Sequence, residues 1–165
     1  MRTRKLVLLS LITAQAIVIH YIEGFIPLIA PGAKLGLANI MTLVTLFVFN
    51  VKYAFVVSII RIILGSLLGG NIMGIIYGLV GGMLSLTIMS LLKRHSNIFS
   101  LIGISTAGAA FHNIGQLMTA SIIYSTKGIL FTYLPVLMLA SAVTGYFTGL
   151  ASDFIINHFN KFIKA

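Results

Sequence analysis

Apolar residues along this chain come in six long runs, separated by short breaks that hold asparagine, lysine, glycine, histidine and proline. The runs fall at about 6–22, 35–49, 53–69, 72–92 and 98–124, with a last one that starts at Pro135, because proline suits the first helical turn and breaks an interior one. A helix rising 1.5 Å per residue crosses a hydrocarbon core of about 30 Å with roughly 20 apolar residues. The runs are continuously apolar and do not alternate with period two, which excludes a membrane β-barrel. The pattern therefore predicts an all-α polytopic membrane bundle of about six transmembrane helices, with residues 1–165 as a single transmembrane domain.

The breaks carry the next layer of information. Arg2, Arg4, Lys5, Lys52, Lys93, Arg94, Lys161 and Lys164 all fall on one side of a six-span topology, while Lys34 and Lys127 fall on the other. Basic residues accumulate on the cytoplasmic side, so both termini are expected there and the protein is expected in the cell membrane, multi-pass. The first run resembles a signal peptide, but its small-x-small triplet Ala14-Gln15-Ala16 lies within the apolar stretch, which continues through Ile17-Val18-Ile19, so it reads as an uncleaved span. The connection 23–34 holds Glu23, Pro27, Pro31, Gly32 and Lys34 in apolar surroundings, too apolar for an ordinary loop and too broken for a spanning helix. It is expected to fold back as a cap over the bundle, and the partly apolar connection 125–134 is a second possible cover.

Composition then narrows the function. The chain is 59% hydrophobic and 8% charged, with a formal charge of +9 that would suggest nucleic acid in a soluble protein. Here the positive charges mark the ends of spans and form no basic patch interleaved with aromatics, so no nucleic-acid partner is expected. With no cysteine, thiolate metal sites, iron–sulfur clusters and thiol nucleophiles are excluded. No P-loop motif, H-E-x-x-H or G-x-S-x-G is present, and the only two acids, Glu23 and Asp153, are predicted on opposite sides of the membrane. The residues thus predict no catalytic or metal site, no cofactor and no autonomous enzyme.

Polar side chains inside the runs are the functional candidates, since hydrocarbon makes each of them costly. Arg61, mid-way along the third run, either pairs with Glu23 or helix-end carbonyls, or offers its forked donors to an anionic ligand; the scarcity of acids favours a ligand with an anionic group. His112, Asn113 and Gln116 share one turn of the fifth run and form a polar stripe, either an interhelical hydrogen-bond cluster or, the favoured reading, a surface that reads a ligand's polar edges. Asn39 lies in the second run, and Lys34 with the helix N-terminus near 35 could hold a carboxylate or phosphate. His20 and Gln15 are weaker candidates, and His95 and His158 lie near cytoplasmic ends.

Small residues add packing signals. Gly65 and Gly69, and the row Gly70, Gly74, Gly78 and Gly82, are four apart and favour close helix packing within the monomer over a homodimer face. Ser10 and Ala14 form a second small row on the first run, a possible docking surface for another membrane subunit.

Pro31-Gly32-Ala33-Lys34-Leu35-Gly36-Leu37-Ala38-Asn39, Arg61 with Gly65, and His112-Asn113-Ile114-Gly115-Gln116 together resemble the Gx transporter family, also labelled heptaprenyl diphosphate synthase component I, over nearly the whole chain. The two labels imply different roles. Soluble prenyl synthases need Asp-rich motifs that hold Mg²⁺ on the diphosphate, and this chain has a single aspartate, so at most it would be a non-catalytic membrane subunit in isoprenoid or quinone biosynthesis. The transporter label fits better, because the family is similar in size and span count to the S-components of energy-coupling factor (ECF) transporters. That resemblance implies a binding component for uptake of a vitamin or precursor, docking through Ser10 and Ala14 on ECF transmembrane and ATPase subunits. The expected ligand site is Lys34, Asn39, Arg61, His112, Asn113 and Gln116, built from the second, third and fifth runs under the 23–34 cap, and membrane lipid is the expected surrounding partner.

Overall fold

The computed structural model describes residues 2–25, 36–126 and 128–164, and among them every regular element is a helix. The order is α1 (Arg2–Glu23), α2 (Asn39–Val48), α3 (Val51–Leu68), α4 (Ile72–Lys93), α5 (Leu101–Ile123) and α6 (Gly128–Lys164). Four of the six, within α1, α3, α4 and α6, are long and apolar enough to cross a membrane. Helix α5 has the length, 23 residues, but its serines, threonines and polar stripe lower its hydropathy. Helix α2 has 10 residues, about 15 Å, half the hydrocarbon thickness.

Local chemistry explains most of the boundaries. Helices α3, α4 and α5 each begin where a side-chain oxygen accepts an orphan N–H of the first turn: Asn50 from Tyr53 (3.1 Å), Asn71 from Gly74 (2.7 Å) and Ser100 from Gly103 (3.1 Å). Helix α2 starts later than the apolar run because Gly36, at φ +79°, stands in the left-handed region just before it.

Two expectations at the other end of the chain are corrected. The last helix does not begin at Pro135: it starts at Gly128 and carries Pro135 inside. Consequently residues 128–134 are helical and do not belong to a connection 125–134. The physical reason is that a proline in the second turn already has helical φ and deletes a single backbone bond, the one to the Phe131 carbonyl; membrane helices accommodate that loss. The proposed cap 23–34 lies largely outside the described residues.

Packing closes α2–α3–α4–α5–α6 into a ring, with α1 laid against α2 and α3. Directions alternate along the chain. Lys5 Nζ sits 4.1 Å from the Tyr53 ring centre and His20 Nε2 meets Ser66 Oγ at 3.3 Å, so α1 and α3 run parallel. Helix α4 returns beside α3, where Gly78 and Gly82 receive the side chain of Ile62, and α5 beside α4, where Gly115 meets Gly81. Gly78 and Gly82 therefore serve packing within the chain, while Gly74 meets the side chain of its own N-cap Asn71 and Gly70, in the turn before α4, has no neighbour within 4 Å of where its Cβ would stand. Helices α5 and α6 approach most closely at Gly145 and Gly149, which face Thr106, Ile102 and Ser105, and Ser105 Oγ lies 2.8 Å from Thr148 Oγ1.

The ring is plugged at the end where α2 finishes and α3 begins. Leu43, Leu46, Ala54, Leu86, Met89 and Ile104 form a buried apolar cluster there. Lys93 seals its edge, donating to the Leu46 carbonyl (2.6 Å) with its ammonium 5.0 Å from the Phe47 ring centre. Burying these side chains removes their apolar area from the surroundings and leaves no polar atom to serve.

Candidate functional site

Asn39, Arg61, Gly81 and His112 lie nine to twelve residues from Val48, Val51, Lys93 and Leu101, the helix ends that surround the plug. At 1.5 Å per residue this places all four at one level, about 14–18 Å above that end. The buried polar side chains concentrate at and beyond this level.

On the α2–α3 side, Arg61 is 2% exposed and its Nη2 donates to Asn39 Oδ1 at 2.6 Å. Glu23, at the end of α1, is equally buried. Its carboxylate accepts the backbone N–H of Gly36 and, at 3.3 Å, that of Leu37, and it lies within electrostatic reach of Arg61. The carboxylate thus occupies the N-terminal end of α2, the place where the sequence suggested that Lys34 and the helix N-terminus could hold an anion. Lys34 itself lies outside the described residues. Glycine is required at 36, since a Cβ there would stand 3.0 Å from Asn39 Nδ2 in a left-handed conformation.

On the α4–α5 side, the polar stripe divides. His112 and Gln116 face α4: a Cβ on Gly81 would stand 2.7 Å from the His112 carbonyl oxygen and 2.9 Å from Gln116 Cγ. Asn113, about 100° further round the helix, faces α6, where its Nδ2 donates to Ser141 Oγ (2.8 Å) and towards the Leu137 carbonyl (3.4 Å). So the level joins Asn39 with Arg61 and, separately, His112 with Gln116, and it places Asn113 at a helix–helix seam.

Gln116 is the most informative of these residues. It is 1% exposed, yet neither its Oε1 nor its Nε2 has a hydrogen-bond partner among the described residues. Arg61 Nε, Asn113 Oδ1 and the hydroxyls of Thr42, Ser58 and Ser85 are likewise unpartnered. Buried polar groups are nearly always hydrogen-bonded, and each that is not costs about 1–3 kcal/mol. Apart from Asn113, which faces α6, these unpaired donors and acceptors on α2, α3, α4 and α5 have the chemistry to bind a small polar molecule inside the ring.

Glu23 is the member that the list of ligand-site residues omitted, although an acid in an apolar stretch was its signal. Thr42, Ser58 and Ser85 carried none, because single hydroxyls are common in membrane helices and usually bond their own helix, as Thr45 does to the Met41 carbonyl (2.7 Å). Ser10 and Ala14 are exposed and line an apolar groove of about 490 Å³ between α1 and α3, with Leu6, Thr13, Tyr53 and Ile60 among its other walls. Ser10 spends its hydroxyl on the Leu6 carbonyl (2.9 Å). No group of three or more metal-ligating side chains occurs among the described residues.

Compared with known proteins, residues 12–155 match a family model described as heptaprenyl diphosphate synthase component I. No curated protein and no solved structure matches the chain.

Proposed function

The chain belongs to the heptaprenyl diphosphate synthase component I family, and from that premise we propose that it is a non-catalytic membrane protein that binds a small molecule inside its helix ring. The observation that carries this reading is Gln116, a fully buried amide with both polar atoms unpaired, one helical turn beyond the level of Arg61. A protein selected for packing alone gains by replacing such a group, whereas a binding protein keeps it for the ligand. The apolar plug below the level closes one side, so the ligand enters from the opposite end.

The role that suits a one-sided binding site is that of the substrate-binding component of a small-molecule uptake transporter, of the ECF S-component kind, taking a vitamin or precursor. Separate ATPase subunits supply the energy. In this arrangement the termini are cytoplasmic, the protein is a multi-pass component of the cell membrane, and the α1–α3 groove around Ser10 and Ala14 meets the partner subunit. His112 and Gln116 read polar edges of the ligand, and Asn39 orients Arg61.

The family description supports a second reading, a membrane subunit that assists a separate prenyl synthase. Mass spectrometry of the protein purified in native lipid separates the two. Copurifying ATPase and transmembrane subunits, with a bound small molecule that Arg61→Ala and His112→Ala both release, support the first. A copurifying soluble synthase with no such small molecule supports the second. Retention of the same molecule by both variants would overturn the site.

A further inference from the structure

The charge balance of the interior says more about the ligand than the sequence allowed. Among the described residues Glu23 and Arg61 are the buried members of the Asp, Glu, Lys and Arg set. The other acid, Asp153, is exposed on α6 and accepts from Asn157 Nδ2 at 3.2 Å. Glu23 and Arg61 are joined through the first turn of α2. Glu23 accepts the N–H groups of Gly36 and Leu37, the Asn39 N–H donates to the Gly36 carbonyl (2.9 Å), and Asn39 Oδ1 accepts from Arg61 (2.6 Å). The expectation of an anionic ligand rested on Arg61 having no internal acid. The fold places the Glu23 carboxylate at the first turn of α2, with Asn39 of the same turn between it and Arg61.

We propose that the interior site takes a ligand without net charge, uncharged or zwitterionic, and that Glu23 sets this selectivity. The inference rests on the interior ligand site argued above. With Glu23 in place the pair is neutral, and a monoanion brought to Arg61 meets the carboxylate's repulsion in a medium that screens charge poorly. An uncharged ligand adds no charge to bury. A zwitterion sets its negative end against Arg61 and its positive end towards Glu23. Gln116 adds an adjacent donor and acceptor, suited to a carboxamide, lactam or similar edge, much as glutamine amides read paired donor and acceptor groups elsewhere. Glu23 therefore works as an element that rejects the wrong charge, a recognised route to specificity.

The test uses the full chain in native-lipid nanodiscs as wild type, Glu23→Gln and Glu23→Gln/Arg61→Gln. Each is incubated with a total cell metabolite extract and washed, and the retained small molecules are identified by mass spectrometry and sorted by net charge. The strongest wild-type binder is then titrated beside an analogue that differs by one carboxylate for carboxamide. The expected result is enrichment of uncharged or zwitterionic compounds by wild type, with the neutral partner bound about tenfold or more tightly. Glu23→Gln should reverse the preference towards anions, because Arg61 has lost its counter-charge, and the double variant should return to neutral compounds. A reversal of ligand charge is not something a merely structural role for Glu23 would produce. Wild type retaining anions, or a charge preference unmoved by Glu23→Gln, would overturn the proposal and leave the interior site standing. Retention of nothing by any of the three removes the site itself, and this inference with it. If Glu23→Gln does not fold, the wild-type titration of the matched pair decides alone.

Discussion

Replacing Gln116 by methionine should make the ligand-free protein more stable while abolishing ligand retention. Methionine keeps the length and flexibility of the side chain and removes the amide. In the native structure that amide is 1% exposed with neither polar atom paired, so the wild type carries the desolvation cost of an unsatisfied group, about 1–3 kcal/mol. The substitution recovers this amount and adds the dispersion contacts of the thioether against Gly81 and its neighbours. For a chain of this size about 2–4 °C per kcal/mol is expected, which gives a rise in Tm of about 2–12 °C. The chain has no Trp and no Cys, so tryptophan fluorescence and thiol-reactive dyes are not usable; near-UV dichroism of its 6 tyrosines, or calorimetry in one fixed detergent, reads the transition. A fall in Tm beyond experimental scatter would refute the reasoning, because it would mean that the amide is held by hydrogen bonds and serves packing. A rise in Tm with retention unchanged would place the ligand elsewhere.

Arg61→Met alone should destabilise by about 1–3 kcal/mol, since it leaves Asn39 Oδ1 buried without its donor and removes the positive charge within electrostatic reach of Glu23, and adding Glu23→Gln should recover part of the loss; a double variant no more stable than the single one contradicts the coupling. Gly81→Ala should cost about 1–3 kcal/mol and weaken ligand retention, because the new Cβ would stand 2.7 Å from the His112 carbonyl, whereas Gly69→Ala, with its nearest neighbour at 3.4 Å, should be near neutral in the same thermal assay. Asn113→Ala should cost about 1 kcal/mol through the lost bond to Ser141 and leave ligand retention as in wild type, measured by the same mass spectrometry, since its side chain faces α6.

The polar residues that matter were visible in the sequence because hydrocarbon makes each of them an exception. Arg61, Asn39, His112 and Gln116 stood out against their runs, and all four are buried in the structure. How they combine was not visible. Asn113 adjoins His112 in the chain, but the rotation of about 100° between neighbouring residues turns it to another helix. Gly81 was absent from the row at 70, 74, 78 and 82, yet it makes the crossing with Gly115, on the side of α4 that faces α5. The pair Gly145 and Gly149 has the same four-residue spacing and sets the α5–α6 approach.

Local sequence pattern establishes the material of this protein: a helical membrane chain, because only continuous helices satisfy every backbone group across hydrocarbon, and runs of about 20 apolar residues record that demand locally. Capping residues at Asn50, Asn71 and Ser100 record the helix starts in the same local way. Which side chains share the interior depends on tertiary packing. Glu23 and Arg61 are 38 positions apart on different helices, and their approach to the same turn of α2 depends on the order of helices around the ring and on the rotation of each about its axis. Both of these are fixed by side-chain packing between segments distant in the chain, which no local pattern of hydropathy encodes.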